Sequence, residues 1–326
     1  MNNTKRLLTG FWAILMAVSL AIPATAEPID SIVFFGDSLS DTGNVSLATG
    51  GALPGPEYNQ GSDGAPPDFT AGQWSDPLGP SWPTVFASMF GLSATPSVVG
   101  GNNYAWGGAR TGVNSDPLGV PWLDQQVGLY ALTDPAPTEG TLASIMIGGN
   151  DIASSVAFDP EAAVANGITS ITTQIANLYG LGVRQFLISN VPDIGVTPRF
   201  QEFEDDFPGI AALASFWTTQ WNDALYTALG DLMLPGANIN LLDLFGLGKD
   251  PELLSLFANT TDPCLTTSSI CDDPSSYFYW DAFHPSSTTH ALIADAAYTA
   301  VPEPGTFALL GLGLGALAFA RRRRSL

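Results

Sequence analysis

Residues 31–44 read SIVFFGDSLSDTGN, and this stretch predicts the fold because a buried strand runs directly into a turn that carries a serine. The β-branched and aromatic run at 31–35 has strand length, and Gly36 follows where a side chain would obstruct a sharp turn. Ser38 is therefore expected just past the carboxyl end of a strand, where open α/β sheets bind ligands. Its hydroxyl has two interpretations at this point: a nucleophile, or an N-cap that starts a helix.

The rest of the chain alternates strands with helices. Apolar or β-branched runs predict four further strands, at 97–99, 142–147, 185–189 and 239–242. Helical spacing of apolar residues predicts three long helices, at 82–90, 161–179 and 209–232. This alternation predicts an α/β fold: a three-layer α/β/α sandwich around a mainly parallel five-stranded sheet. Because no internal repeat or inner boundary is visible, residues 27–300 are expected to form one domain.

A long stretch at 50–80, rich in Gly, Pro and Asp, follows the serine turn and is too broken for regular elements. It contains Tyr58, Phe69 and Trp74. Aromatic residues are unusual in disordered linkers, so we expect an ordered loop beside the ligand-binding edge of the sheet.

The N-terminus has the layout of a secretory signal peptide. Lys5 and Arg6 precede an apolar run at 7–22, and Ala24-Thr25-Ala26 then forms a small-residue cleavage site. Residues 1–26 are thus predicted to be removed on export, which places the mature chain in the periplasm, the cell envelope or the medium.

The C-terminus carries a second targeting pattern: Pro302-Glu303-Pro304, an apolar run at 306–320, and four arginines at 321–324. Fifteen apolar residues are short for a full membrane span, but the arginine block fits the positive-inside rule and disfavours a buried core helix. The segment 301–326 closely resembles the PEP-CTERM sorting signal of Gram-negative bacteria. That resemblance implies transient membrane association, with the secretion machinery and an exosortase as partners.

The charge of the central region excludes one class of function. The whole chain has a formal net charge of −21, and residues 27–300 contain 30 of its 31 acids but only Arg110, Arg184, Arg199 and Lys249 as bases. Such a surface repels phosphate backbones, so we expect no nucleic-acid partner. A calcium site at 204–206 is conceivable, but the absence of an EF-hand-type loop in the sequence favours a solvated acidic face.

The chain has two cysteines, Cys264 and Cys271, in a polar stretch. An even pair in an exported protein favours a disulfide. A zinc site would need more ligands than these cysteines and two distant histidines provide, so we expect no metal and no other cofactor.

Only two histidines, His284 and His290, could act as a base for Ser38. His284 has a carboxylate three residues earlier, Asp281, which can turn back in a tight loop and accept the Nδ1 proton. His290 lies in a Ser/Thr-rich run that opens the last helix, so His284 is the better base. The alternative is a structural pairing of a loop histidine with an aspartate.

Acyl transfer also needs donors for the oxyanion of the tetrahedral intermediate. The candidates are the backbone N–H groups of Ser38 and Gly108 and the side-chain amide of Asn150, which follow predicted strands or lie in a glycine-rich loop at 100–112. Each candidate also has a purely structural explanation. Glycine-rich loops commonly serve only to turn the chain, and asparagines after strands commonly form hydrogen bonds with the backbone.

Four ordered blocks, at 36–40 (GDSLS), 103–109 (NYAWGGA), 148–151 (GGND) and 281–285 (DAFHP), closely resemble the catalytic blocks of the GDSL or SGNH hydrolase family. The resemblance spans about 250 residues. It implies Ser38 as nucleophile, His284 as base, Asp281 as its orienting partner, and Ser38, Gly108 and Asn150 as oxyanion-hole donors. If the loop is shifted by one residue, Gly107 replaces Gly108.

These observations predict an exported serine esterase or acylhydrolase with a flavodoxin-like domain, acting without a cofactor on a small-molecule or acylated-polysaccharide ester. The competing hypothesis is a catalytically silent surface or biofilm-matrix protein that binds carbohydrate through aromatics such as Trp74, Trp106 and Trp122. Intact chemistry in all four blocks argues against that alternative, since a binding protein has no need of the His284 and Asp281 pair.

Overall fold

The computed structural model of the protein describes residues 28–61, 72–112, 119–133 and 136–301. Ile29–Val301 form one compact unit. The predicted signal peptide, the sorting segment and Phe69 lie outside the described residues. None of the helices in the described ranges has the length and apolar character that a membrane crossing requires.

Strands and helices alternate along most of this unit. In chain order the elements are β1 (Ser31–Gly36), α1 (Asn44–Ala48), α2 (Trp82–Met89), α3 (Leu123–Leu132), β2 (Thr141–Met146), α4 (Gly149–Ser155), α5 (Pro160–Leu181), β3 (Gln185–Ser189), α6 (Pro198–Asp206), α7 (Ile210–Asp231), β4 (Asn238–Leu242), α8 (Leu244–Leu247), α9 (Pro251–Leu254), β5 (Asn259–Pro263), β6 (Tyr277–Tyr279) and α10 (Ser287–Ala300). The three predicted long helices correspond to α2, α5 and α7, with bounds that differ by one or two residues.

The main sheet has the order β1-β2-β3-β4, and all of its neighbours are parallel. Gly36 pairs with Met146, so β1 and β2 end side by side and the chain after each strand emerges at one edge. The predicted α/β class with a parallel sheet is confirmed. That shared edge brings the serine turn next to the GGND block.

The predicted strand at 97–99 is wrong, because Ser97–Val99 form a 3-10 helix whose two valines are exposed. Asn103 lies beside β1 instead and bridges Phe34 in parallel, with Tyr104 N donating to Phe34 O at 2.7 Å. Burial of Asn103 and Tyr104 outweighs the β propensity of the valines. The main sheet of the described residues therefore has four strands, not the predicted five. The bridge at Asn103 stands at the edge where the fifth strand of a flavodoxin-like order would lie, which places β1 at the topological switch point.

Each central strand buries both faces. In β1, Ile32 and Phe34 pack with side chains of α2 and α10, including Trp82. Val33 and Phe35 point the opposite way, into a larger cluster with α3, α5 and α7. The alternation of side chains along a strand therefore produces the three layers.

A small parallel pair, β5 and β6, lies outside the main sheet and leads to the DAFHP block. The predicted disulfide joins Cys264, just after β5, to Cys271. Leu265 N donates to Trp280 O at 2.6 Å, which ties the bridged loop to the residue before Asp281.

Candidate active site

The serine turn is held tightly against its neighbours. Gly36 has no room for a side chain because a Cβ there would collide with the carbonyl oxygen of Met146. The Gln126 side chain brackets Gly36, accepting from its N–H and donating to its carbonyl at 2.8 Å each. Ser40 N and Asp41 N both donate to Asp37 O, which closes the turn around a buried Ser38.

Ser38 does not cap a helix, so the N-cap interpretation is wrong. The N-cap position of α1 is Gly43, and the carboxylate of Asp41 accepts hydrogen bonds from the N–H groups of Gly43, Asn44 and Val45 at the start of that helix. The Ser38 hydroxyl is instead directed at an imidazole.

A chain of hydrogen bonds joins the residues proposed for proton transfer. His284 Nε2 lies 2.7 Å from Ser38 Oγ, although 246 positions separate the two residues, and His284 Nδ1 lies 2.7 Å from Asp281 Oδ2. Because an ionised carboxylate can only accept, Nδ1 carries the proton and Nε2 is left to accept from the serine hydroxyl. The three side chains have the arrangement of a nucleophile, a base and an orienting acid.

Asp281 turns back as the spacing predicts. Its Oδ1 accepts from Phe283 N at 2.7 Å and His284 N at 2.6 Å, while Oδ2 accepts from the Tyr58 hydroxyl at 2.6 Å. Burial raises the pKa of Asp281, but the charge of His284 and the hydrogen bonds from His284 and Tyr58 outweigh it and bring the pKa to about 2. The carboxylate therefore stays ionised at neutral pH.

His290 has a different role. It is fully buried at the start of α10, where Nδ1 accepts from Trp82 N and Nε2 donates to Trp74 O. Burial lowers its pKa to about 4, which keeps the ring neutral at physiological pH. His290 thus connects α10, α2 and the loop at Trp74, and it makes no contact with Ser38.

The candidate oxyanion donors lie on segments that meet at the same edge. Trp106 N donates to Gly36 O at 3.1 Å, and Asn150 Nδ2 donates to Ala109 O at 2.9 Å, so the NYAWGGA and GGND blocks both flank the serine turn. That bond uses one amide hydrogen of Asn150 and leaves the second for a ligand.

Gly107 and Gly108 differ in what their N–H groups do. Gly107 N donates to Asp41 Oδ2 at 2.9 Å. Gly108 is exposed with φ at +82°, and its N–H donates to no acceptor in the part of the chain that the structure describes. The same holds for the N–H of Ser38. The geometry therefore favours Gly108 over Gly107 as a donor to a ligand.

The loop at 50–80 lies beside this edge, as expected for its described residues. The Trp74 ring packs 4.7 Å from the His284 ring, and a Cβ on Gly107 would come within 2.8 Å of it. Sequence reasoning singled out Tyr58 and Trp74 as aromatics in a loop but missed their contacts with the Asp281 and His284 pair. No sequence signal links residues so far apart.

A cavity adjoins Ser38 at the carboxyl ends of β1 to β4. Its lining is mostly apolar and includes Leu39, Val191, Ile194, Leu247, Phe283 and Ile293. Ser38 belongs to this lining, whereas His284, Gly108 and Asn150 do not. An apolar lining favours an apolar ligand group. Among the described residues no cluster of His, Cys, Asp and Glu has the arrangement of a metal site.

The fold and these blocks together define a class of protein. Residues 32–297 match the model of the GDSL-like Lipase/Acylhydrolase family, and residues 300–324 match the PEP-CTERM protein-sorting motif. The chain belongs to the GDSL lipase/acylhydrolase family.

Several characterised proteins are similar to this chain. Lipase 1 of Photorhabdus luminescens is 28% identical over 194 residues, which cover 58% of this chain and 26% of the lipase. Esterase EstA of Pseudomonas aeruginosa is 26% identical over 91% of this chain and 50% of its own length. The chain thus spans about a quarter of the first and about half of the second. Among solved structures, the aryl esterase of M. smegmatis aligns with a TM-score of 0.43 at 16% identity, over 82% of this chain and 96% of the esterase.

Proposed function

We propose that this protein is a serine esterase or acylhydrolase that cleaves carboxylic esters through an acyl-enzyme on Ser38. The observation that carries the proposal is the pair of 2.7 Å contacts that join Ser38 to His284 and His284 to Asp281. A serine with a base and an orienting carboxylate in line has the geometry of an activated nucleophile.

The reaction follows from the roles of these atoms. Ser38 Oγ attacks the ester carbonyl while His284 Nε2 takes the hydroxyl proton and then gives it to the leaving alcohol. The oxyanion accepts hydrogen bonds from Ser38 N–H, Gly108 N–H and the free amide hydrogen of Asn150. A water molecule, deprotonated by His284, then attacks the acyl carbonyl. The bond between the acyl carbon and Ser38 Oγ breaks, His284 gives its proton to Oγ, and the acid is released.

The cavity beside Ser38 supports an ester whose acyl group is apolar, because its walls offer few polar partners. The alcohol part is a small molecule or an acylated polysaccharide. The alternative of a silent carbohydrate-binding protein loses support because the tryptophans it requires are partly buried, with Trp74 packed on His284 and Trp122 on Arg110.

We propose that the chain is exported and sorted to the cell envelope, with residues 1–26 as a signal peptide, 27–300 as the hydrolase domain and 301–326 as the sorting segment. The match of residues 300–324 to the PEP-CTERM motif supports this arrangement. The secretion machinery and an exosortase are the expected partners, and membrane association through the tail is transient.

The test uses a fluorophosphonate probe and p-nitrophenyl esters from acetate to palmitate. The wild-type protein is expected to be labelled at Ser38 and to hydrolyse the esters, while Ser38→Ala loses both properties. Ser88→Ala serves as the matched control, because this exposed serine bonds only within α2, and it keeps both. A folded wild-type protein inert to the probe and to every ester, or a fully active Ser38→Ala variant, overturns the proposal.

A further inference from the structure

Two aromatic side chains reach the Asp281 and His284 pair from a loop outside all four motif blocks. The Tyr58 hydroxyl donates to Asp281 Oδ2 at 2.6 Å, and the same oxygen accepts the proton on His284 Nδ1 at 2.7 Å. Trp74 lies against the other side of the imidazole, with ring centroids 4.7 Å apart. The loop therefore contacts both members of the pair.

The position of Tyr58 is fixed independently of Asp281. Asn59 N donates to Ser75 O, and Gln73 N donates to Asn59 O, each at 2.8 Å, so the two sides of the loop form a short antiparallel bridge. Asp76 accepts from both the N–H and the hydroxyl of Ser287, at the start of α10. The loop is thus anchored to the helix that follows His284.

The ring of Tyr58 is packed as well as bonded. It lies edge-on to Trp74 at 5.8 Å and to Trp280 at 6.2 Å between ring centroids. Replacement by phenylalanine would keep these contacts and remove only the hydroxyl. A single atom can therefore be tested without disturbing the ring.

We propose that Tyr58 is a positioning residue. Its hydroxyl holds the Asp281 carboxylate and tunes how strongly that carboxylate stabilises the charged form of the His284 imidazole. The inference rests on the proposed function. Two donors share Oδ2, so each reduces the negative charge that the other experiences. Without the hydroxyl, Oδ2 would stabilise the charged imidazole more strongly, and His284 would lose its role as a base at a higher pH.

Among the described residues, the other titratable groups that interact electrostatically with this site are Asp37, which interacts with His284 and Asp151, His290, which interacts with His284, and Glu57, which interacts with Tyr58. Tyr58→Phe leaves all of them in place. Asp281 also keeps two backbone N–H donors on Oδ1, which hold the carboxylate in its turn. A change in titration would therefore report the lost hydroxyl.

The test compares the pH profiles of kcat/KM for the wild type and Tyr58→Phe. In Tyr58→Phe we expect the acid limb of the profile to move to higher pH by about one unit. At pH values on that limb kcat/KM should be about tenfold lower than in the wild type, whereas the plateau at higher pH should stay within a few-fold of the wild-type value. Tyr179→Phe, on α5, is the matched control, because it also loses one hydroxyl bond, to Pro235 O, and should show no shift. An unshifted limb, or an equal loss at every pH, would show that Tyr58 only supports the structure.

A second readout does not depend on turnover. Nitrogen NMR titration of the His284 imidazole is expected to show a higher midpoint in Tyr58→Phe than in the wild type. Equal midpoints contradict the role of Tyr58 even if the protein is an esterase. Conversely, if the esterase proposal fails, the probe does not label the wild-type protein. The NMR midpoints of the wild type and Tyr58→Phe can still be compared in that case.

Discussion

The two sides of the site are built in opposite ways. On the proton-transfer side, the polar side-chain atoms of Ser38, His284 and Asp281 bond to one another, and Tyr58 completes the set. On the oxyanion side, the N–H groups of Ser38 and Gly108 donate to no acceptor within the described chain. One side is complete without a substrate, whereas the other presents donors that a substrate must fill.

The two sides of the site acquire their hydrogen-bond geometry in different ways. The proton-transfer side gains its geometry from hydrogen bonds made on folding, so its groups should behave as one unit. On the proposed oxyanion side, the donors would form their bonds only as charge develops on a substrate, so they are expected to act on the transition state.

The largest effect is expected on the proton-transfer side. His284→Ala should lower kcat for a p-nitrophenyl ester by about 10⁴ or more, and Asp281→Asn by about 10⁴. The double variant Ser38→Ala with His284→Ala should be no slower than either single variant. Thermal melts verify that each variant folds. Losses that multiply in the double variant would contradict the idea of a single unit.

Asn150→Ala should lower kcat by about 10²–10³ and leave KM nearly unchanged, because the lost amide acts on the transition state. Unlike the Ser38 variant, it should still react slowly with a fluorophosphonate. Asn177→Ala is a suitable control, since this exposed amide bonds only within α5. A rise in KM without a fall in kcat would show that Asn150 contributes to substrate binding and not to stabilisation of the transition state.

Protonation of Asp37, the residue before Ser38, should make the stability of the fold depend on pH. Burial raises its pKa to about 7, against the opposing effects of Leu39 N–H and the His284 charge. From about pH 4 to about pH 7 Asp37 holds a proton in the folded state that it has lost in the unfolded state, so its contribution to the free energy of unfolding should fall by about 2–4 kcal/mol across that window as pH rises. Urea denaturation at several pH values measures this slope.

Asp37→Asn should make the slope less negative without abolishing it, because the buried carboxyls of Asp41 and Asp151, whose pKa values burial raises to about 6, contribute in the same direction and His290 opposes them. Asp295→Asn, exposed on α10, should leave the slope as in the wild type. An Asp37→Asn variant with the wild-type slope would show that Asp37 is ionised in the fold.

The smallest effect concerns the disulfide on the proton-transfer side. Replacing both cysteines by serine should lower the free energy of unfolding by about 2 kcal/mol, since the bridge closes a loop with a sequence separation of only 7. Activity should stay within a few-fold of wild type, because Asp281 and His284 are held by their own turn. Loss of activity in a folded variant would make the bridge part of the geometry of the site.

Much of the fold could be predicted because its signals are local. The strand at 185–189 was predicted with the bounds that β3 has, since the centre of this buried strand, 186–188, is an apolar run. The edge of the sheet was not, because the valines of 97–99 have strand propensity while Asn103, which lies at the edge, reads as a loop residue. Edge pairing depends on tertiary burial, which no window of sequence contains.

The candidate site also contains residues that local sequence could assign and residues that it could not. Asp281 and His284 could be paired from their spacing of three residues, and the turn is local. Tyr58 could not be assigned to Asp281, because 223 positions separate them and a lone tyrosine in a glycine-rich loop has no periodicity. The choice between Gly107 and Gly108 depends on where Asp41 lies, which is again a tertiary fact.

The sheet order has a consequence for biosynthesis. The serine turn follows the first strand, and its base follows the last, 246 positions later. A growing polypeptide can complete all four main strands and still have no acid–base partner for its hydroxyl. Long-range pairing of this kind is also slow to form. If Ser38 is the nucleophile that we propose, the order of synthesis delays its activation until almost the entire unit has been made.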